Sequence, residues 1–247
     1  MLNIQRPYTV KKLKWDSEYF GVLSCRVDLN EELEQKNFMT MIQEVKDYHF
    51  VSLNNHGNQA YNNYLIGKNT NAFLVDTNIQ FIKRIKDKQE TIDSLKLNFF
   101  VNNRQQRNED ILTISKEAFT ISKFTNDPFL KERKGELVYY YWAKNAFKRE
   151  DRYFLKAQFN EKTYGFILFR MEEESAVIEL IAVDKQQMGK HVGKNMLKYL
   201  ESYLKRSDIR ALKVGTQLDN VDAINFYHSC NFKEKEKTTV YHWWNKI

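Results

Sequence analysis

The sequence predicts an α/β (α+β) fold in which a C-terminal module, a sheet flanked by helices, follows a smaller N-terminal α/β domain. Three observations carry this reading. Tyr164 to Val183 holds two β-rich apolar runs across the polar turn Glu172–Ser175, which reads as a hairpin. After Asp184 the apolar spacing changes to three and four. From there strand and helix patterns alternate to the aromatic run near the C-terminus.

In chain order, the N-terminal part predicts strands near Thr9–Leu13 and Gly21–Val27, a helix over Glu31–Tyr48 and a strand near Thr77–Ile82. Asn71–Phe81 loosely echoes Cys230–Tyr241, so residues 1–100 read as a degenerate copy of the second domain, 105–247. Residues 93–109, ending in the polar run Asn102–Asn108, read as the connection. Asp110–Phe119 and Gly135–Phe147 have helical periodicity, and Arg152–Phe159 reads as a strand before a turn at Asn160–Lys162. Past the hairpin, Val192, Met196, Leu197, Leu200, Tyr203 and Leu204 line one face of a helix of about four turns. Ala211–Thr216 alternates as a strand, Asn220 precedes a further helical run as an N-cap, and Thr238–Trp244 reads as a final strand.

Composition narrows the function classes. With 8 Gly and 2 Pro among 247 residues and 14% aromatics, disordered and collagen-like classes are excluded. No apolar run reaches the roughly 18 residues of a membrane span, and the N-terminus lacks a secretory layout, so a cytoplasmic protein is expected. Cys25 and Cys230 are far apart and the five histidines show no ligand spacing, so no metal site is expected. The net charge of +7 forms no basic block, which argues against nucleic acid.

The junction from Val183 to Lys194 has the makings of an anion cradle: Gly189, Gly193 and a helix N-terminus. Three residues between the glycines, and Asn195 after Lys194, rule out a Walker A loop, and the G-x-G-x-x-G fingerprint is absent. The junction resembles the acyl-CoA pyrophosphate loop of the GCN5-related N-acetyltransferases (GNAT), R/Q-x-x-G-x-G/A. His191 then stands at the central Gly and Met188 at the Arg or Gln position. Lys190, Lys194 and Lys198 form a basic stripe that suits phosphates or, alternatively, a solvated helix face. Asn220–Phe232 (NVDAINFYHSCNF) is similar to the family's N-x-x-A-x-x-F/L-Y-x-x-x-G-F, with Asn231 in place of the Gly.

The resemblance implies a mixed, mostly antiparallel central sheet, acetyl-CoA as co-substrate with no metal, and direct transfer to an amine. Direct attack needs a neutral amine, a polarised carbonyl, close positioning and a proton for the thiolate. By the resemblance Ile181, Ala182 and Val183 pair with the pantetheine arm. Met188, Gly189, Lys190, His191, Val192, Gly193 and Lys194 hold the pyrophosphate, and Asn220, Ala223 and Phe226 face the arm. Tyr227 protonates the departing thiolate; a buried core tyrosine is the alternative. Glu179, a carboxylate in an apolar strand that alternation places opposite Ile178 and Leu180, is the candidate base, with an exposed edge Glu as the alternative.

For the acceptor, Leu13–Gly21 (LKWDSEYFG) resembles the L-x-W-D-S-x-F-F-G opening of the dTDP-fucosamine (dTDP-4-amino-4,6-dideoxygalactose) N-acetyltransferases. Phe124–Pro128, Tyr141–Asn145 and Val214–Asn220 are similar to further segments of that group. This implies a nucleotide-linked amino sugar, with Trp15, Asp16, Lys123, Arg133, Tyr139–Trp142 (Tyr140 foremost) and Gln217 on the substrate side; Trp15 and Asp16 could equally be a structural staple. A homodimer is common in the family. The alternatives are another amine, as in a small metabolite or a protein N-terminus, and a non-catalytic acyl-CoA-binding module.

Overall fold

A computed structural model describes residues 6–85, 96–104 and 106–245. The elements run β1 (Tyr8–Lys12), α1 (Lys14–Phe20), β2 (Ser24–Leu29), α2 (Gln35–Val45), β3 (Phe50–His56), α3 (Ala60–Asn69), β4 (Phe73–Arg84) and β5 (Asn98–Asn102). They continue with α4 (Glu109–Ala118), α5 (Lys123–Asn126), α6 (Pro128–Glu132), α7 (Val138–Ala146), β6 (Tyr153–Phe159), β7 (Lys162–Met171) and β8 (Ser175–Val183). The last four are α8 (Val192–Lys205), β9 (Ala211–Gln217), α9 (Val221–Ser229) and β10 (Lys233–Trp244). The sheet is mixed and mostly antiparallel, flanked by helices, as the resemblance implied. The read connection at 93–109 contains β5, which pairs with β6; residues 93–95 and 105 lie outside the described residues.

All ten strands join in one sheet, ordered β1-β2-β3-β10-β4-β9-β8-β7-β6-β5. Between β1 and β7 this order is a palindrome of two β-α-β-α-β units. β2 and β3 are parallel with α2 between them, as are β8 and β9 with α8 between them. Each unit then sends its last strand into the other: β4 pairs with β9 and β10 pairs with β3, while β4 and β10 pair with each other. The boundary near residue 100 therefore divides the sequence, while three strand pairs of the sheet, β3–β10, β10–β4 and β4–β9, cross it.

Alternation decides what each sheet face carries. On one face Ile79 and Phe81 of β4 join Met196, Leu197, Leu200 and Leu204 of α8 in a buried cluster. Val51, Leu53 and Trp243 join Phe38, Met41 and Leu65 in another. The opposite face is covered by α4 and α7 over β6–β8 and by α1, α5 and α6, where Phe20, Phe124 and Leu130 meet Phe50 and Trp244. Ser122 caps α5 with a full capping box and Asp127 caps α6, so this short-helix segment is pinned at both starts.

Gly135 closes that segment. A Cβ there would run into the Phe124 carbonyl oxygen and come within 2.9 Å of the Leu130 carbonyl oxygen, both backbone atoms. Gly135→Ala is expected to lower stability by about 2 kcal/mol or more, read as a fall in the urea midpoint with an unchanged slope; an unchanged midpoint would show that the segment yields freely.

Candidate active site

The site begins with a change in strand β8. Its register against β7 slips between Leu168↔Leu180 and Phe169↔Ile178, leaving Glu179 as the bulged residue. The bulge reverses the strand's faces: Ala176 and Ile178 pack under α8, whereas Leu180 and Ala182 pack under α4 and α7. The alternation expected through Glu179 is thus broken at that residue. Beyond it the strands part. The β8–β9 ladder ends at Ile178↔Val214, although β8 runs on to Val183 and β9 to Gln217.

A cavity of about 710 Å³ occupies the gap. Its walls are the two strand ends, α9, and the C-terminal end of α4 with Tyr139. At the open end α8 starts after Gly189 and His191, both left-handed (φ 75° and 58°), and no side chain caps it. The first-turn N–H groups are left for an anion. Gly193 lies against α9: a Cβ there would come within 3.2 Å of the Phe226 ring.

Of the residues singled out in the sequence, Glu179, Ile181, Ala182, Val183, Met188, Gly189, His191, Val192, Gly193, Lys194, Gln217, Asn220, Ala223, Phe226 and Tyr227 line this cavity. Lys190 is exposed beside it. Asn220 caps α9 through the Ala223 N–H at 3.1 Å. Tyr227 is buried against Phe81, Phe226 and Phe232, and burial pushes its hydroxyl up, so it is held protonated. Arg133 instead lies over the Trp244 ring at 5.4 Å and donates to the Phe129 carbonyl, and Tyr140 sits beside Lys144; neither lines the cavity. Trp15 stacks on Tyr19.

Of the substrate-side run Tyr139–Trp142, Tyr139 lines the cavity; sequence reading missed the α4 end. Tyr139 is pushed up to about 12 by burial and the Asp76 charge, against a hydrogen bond with Gln217. It also missed Asp76 on β4, two residues from Asn78, which pairs with Gln217. Burial pushes the Asp76 carboxyl up to about 6 despite the pull of Lys123, and no cation lies within ion-pair distance of it among the described residues. A lone Asp in a β-branched strand was the available signal.

Glu179 is held differently. Its carboxylate takes Arg152 Nε at 2.8 Å, Arg170 Nε at 3.4 Å and the Trp142 indole N–H at 3.4 Å. With 8% of its side chain exposed and two guanidiniums attached, it is built to fix the bulge.

The acetyltransferase (GNAT) family description matches residues 109–232, from α4 through the end of α9. The chain belongs to the acetyltransferase (GNAT) family. Among similar proteins, the spore coat polysaccharide biosynthesis protein SpsD of Bacillus subtilis is 25% identical across 55% of this chain and 47% of its own length. An uncharacterised N-acetyltransferase of Methanocaldococcus jannaschii is 28% identical across 49% of this chain and 63% of its own. The matches thus span about half to under two thirds of these relatives. A GCN5-related N-acetyltransferase of Sphaerobacter thermophilus shares the fold with TM-score 0.65 at 10% identity, over 98% of this chain and 78% of that one. A tandem GNAT protein of the clavulanic acid biosynthesis pathway does so with TM-score 0.59 at 10% identity, over 92% and 77%.

Removing the Glu179 carboxylate leaves the largely buried Arg152 with only the exposed Asp151 as an ion-pair partner and Arg170 with Glu172. Glu179→Ala is expected to lose about 3 kcal/mol of stability, measured by chemical denaturation; a base with no anchoring role would lose activity at full stability.

Proposed function

We propose that the chain is an acetyl-CoA-dependent N-acetyltransferase that passes the acetyl group directly to the amine of a nucleotide-linked amino-dideoxy sugar of the dTDP class, in the cytoplasm. The parting of β8 and β9 at the Glu179 bulge carries this reading. It leaves alternate backbone N–H groups of β8 facing a gap that leads to the uncapped start of α8. The sugar is supported by the LKWDSEYFG segment and by the biosynthetic name of SpsD.

Each requirement of direct attack has a group in place. Unpaired β8 N–H groups past the bulge, fixed dipoles on a rigid strand, polarise the thioester carbonyl. The α8 N-terminus with Lys194 and Lys190 holds the pyrophosphate. Tyr227, kept protonated by burial, supplies the proton to the departing thiolate. Asp76 takes the proton of the incoming ammonium. It suits this better than Glu179, whose lone pairs are committed to Arg152 and Arg170.

The N-terminal unit supplies no second cofactor site. β2 and β3 pair from Ser24↔Phe50 through Leu29↔Asn55 without parting. The turn that corresponds to the anion cradle reads Asn30-Glu31-Glu32-Leu33-Glu34, with three carboxylates and no glycine. Seven residues after Gln59, as Tyr227 is seven after Asn220, stands the buried Ile66.

Tyr227→Phe is expected to lower kcat by about 100-fold while calorimetry still finds one acetyl-CoA per chain at near wild-type affinity. Unchanged kcat would remove Tyr227 from the chemistry, and two sites per chain would restore a cofactor role to the N-terminal unit.

Asp76 works as a base only when ionised, so kcat/KM falls as pH drops through about 6. Asp76→Asn is expected to lose at least about 100-fold and to abolish that limb. Its raised carboxyl also means that the folded state is penalised above pH 6 by up to about 3 kcal/mol. The variant should therefore melt higher than wild type at pH 7.5, the gain fading toward pH 4. A variant that retains the acid limb would overturn the assignment.

A further inference from the structure

Among the described residues, three buried side-chain atoms have no hydrogen-bond partner: Ser52 Oγ, Asn54 Oδ1 and His242 Nε2. Such atoms are costly in a folded chain, and accidents of packing would scatter them. All three lie on one sheet face. Ser52 stands opposite His242 across β3 and β10, and Asn54 is two residues along β3 on the same side. Arg26 and Asp28 of β2 stand beside Ser52 and Asn54, and Val240 leads from Asn54 to Asp76 on β4. The intervening Val51, Leu53, Tyr241 and Trp243 face the apolar core on the other side.

The unpaired atoms have a chemical sign. Asp127 accepts from the Phe129 and Leu130 N–H groups, from the Trp244 indole N–H at 3.0 Å and from His242 Nδ1 at 2.7 Å. Although burial alone would raise it, these partners hold its carboxyl below the usual range, so His242 Nδ1 carries the ring hydrogen. Burial pushes His242 down to about 4; the ring is neutral and Nε2 is a bare lone pair. Asn54 gives its Nδ2 to Asp28 Oδ1 at 2.9 Å, so its Oδ1 is also an acceptor. Asp16 and Asp76 add carboxylates without an ion pair among the described residues. Over this floor reaches Lys123. It interacts with Asp16, Arg26, Asp28, Asp76 and His242, yet has no carboxylate within ion-pair distance among the described residues.

Asp28 is already engaged by Arg26 at 2.8 Å, by His56 and by Asn54, so the acceptors left open on the floor are Ser52 Oγ, Asn54 Oδ1, His242 Nε2 and the Asp76 carboxylate, with Lys123 above them. The floor adjoins the cofactor gap, because Asp76 leads through Asn78 to Gln217 and Tyr139 at the cavity wall. We propose that Ser52, Asn54, His242 and Asp76, beneath Lys123, form an acceptor subsite that takes a compact, hydroxyl-bearing amine ring through its O–H and N–H donors. This rests on the acetyltransferase reading and places the ring within it. Arg26 is held by Asp28, and Asp16 and Asp76 carry no ion pair among the described residues, so the nucleotide diphosphate of such an acceptor lies off the floor, toward solvent. Lys123 moves aside when the ring enters and then donates to one of its oxygens.

The test compares wild type with Ser52→Ala, which deletes only an unpaired oxygen and should keep or raise the melting temperature. dTDP-4-amino-4,6-dideoxygalactose and hydroxyl-free spermidine serve as acceptors. The subsite predicts turnover of the sugar in preference to spermidine, a sugar KM raised about 10-fold in Ser52→Ala, and an unchanged KM for acetyl-CoA. Acetylation of spermidine with the sugar untouched overturns the subsite and leaves the enzyme reading intact, as does a sugar KM that the substitution does not move. If acetyl-CoA binds but neither probe is acetylated, the proposed function fails. Calorimetry of the sugar on CoA-bound protein then decides the subsite: weaker binding by Ser52→Ala supports it, and equal or absent binding overturns it.

Discussion

The pairing of β4 with β10 is the constraint on which the molecule depends. These are the terminal strands of two like units, each hydrogen-bonded to the other and to the partner unit's β9 or β3. Neither sheet half is complete without the strand it receives. The exchange also sets what meets at the centre. β4 carries Asp76 out of the N-terminal unit to the strand beside Gln217, and β10 carries His242 to Asp127 on the short-helix segment. A buried ion pair between Lys83 of β4 and Glu201 of α8, 2.5 Å apart, ties the exchanged strand to the helix behind the cofactor gap.

Symmetric connectivity does not produce symmetric chemistry here, and the difference comes down to local features. β8 has a bulge and parts from β9, whereas β2 stays paired with β3 to the end. α8 begins in a turn with two left-handed residues; α2 begins after a run of glutamates that would repel phosphate. Once a unit no longer has to open for a cofactor, its sheet face is free to carry other groups. Beside Phe50 and Trp244 the N-terminal unit's face carries the polar Ser52, Asn54 and His242, where the corresponding face over β6–β8 is filled with Phe154, Phe166 and Leu168.

Much of the C-terminal unit was legible because its signals are local. The hairpin, the α8 periodicity, the Asn220 cap and the loop at Gly189–Gly193 all depend on residues near one another in sequence, and they led to the cavity lining. β3 and α3 were missed. β3 (FVSLNNH) has polar residues on the side that faces the polar floor, and α3 carries little apolar patterning, so periodicity had nothing to report. The role expected of Glu179 depended on unbroken alternation, and a one-residue bulge is invisible to a period of two. Asp76 was out of reach for another reason: its neighbours Lys123 and Tyr139 come from distant segments through the strand exchange. Arg133 and Tyr140 were placed by resemblance alone, and their side chains turn to Trp244 and Lys144.

The exchanged strands also order events in time. While the chain is being synthesised, β1, β2 and β3 can assemble, but β3 keeps an open edge until residues 233–244 leave the ribosome. β4 waits as long for one of its neighbours. The N-terminal unit, first to be made, is therefore among the last to close, and it holds a bare strand edge through the synthesis of nearly all the rest. Such an edge invites pairing with a neighbouring nascent chain. The polar side chains of β3, Ser52, Asn54 and His56, make that edge a poor apolar template during the wait.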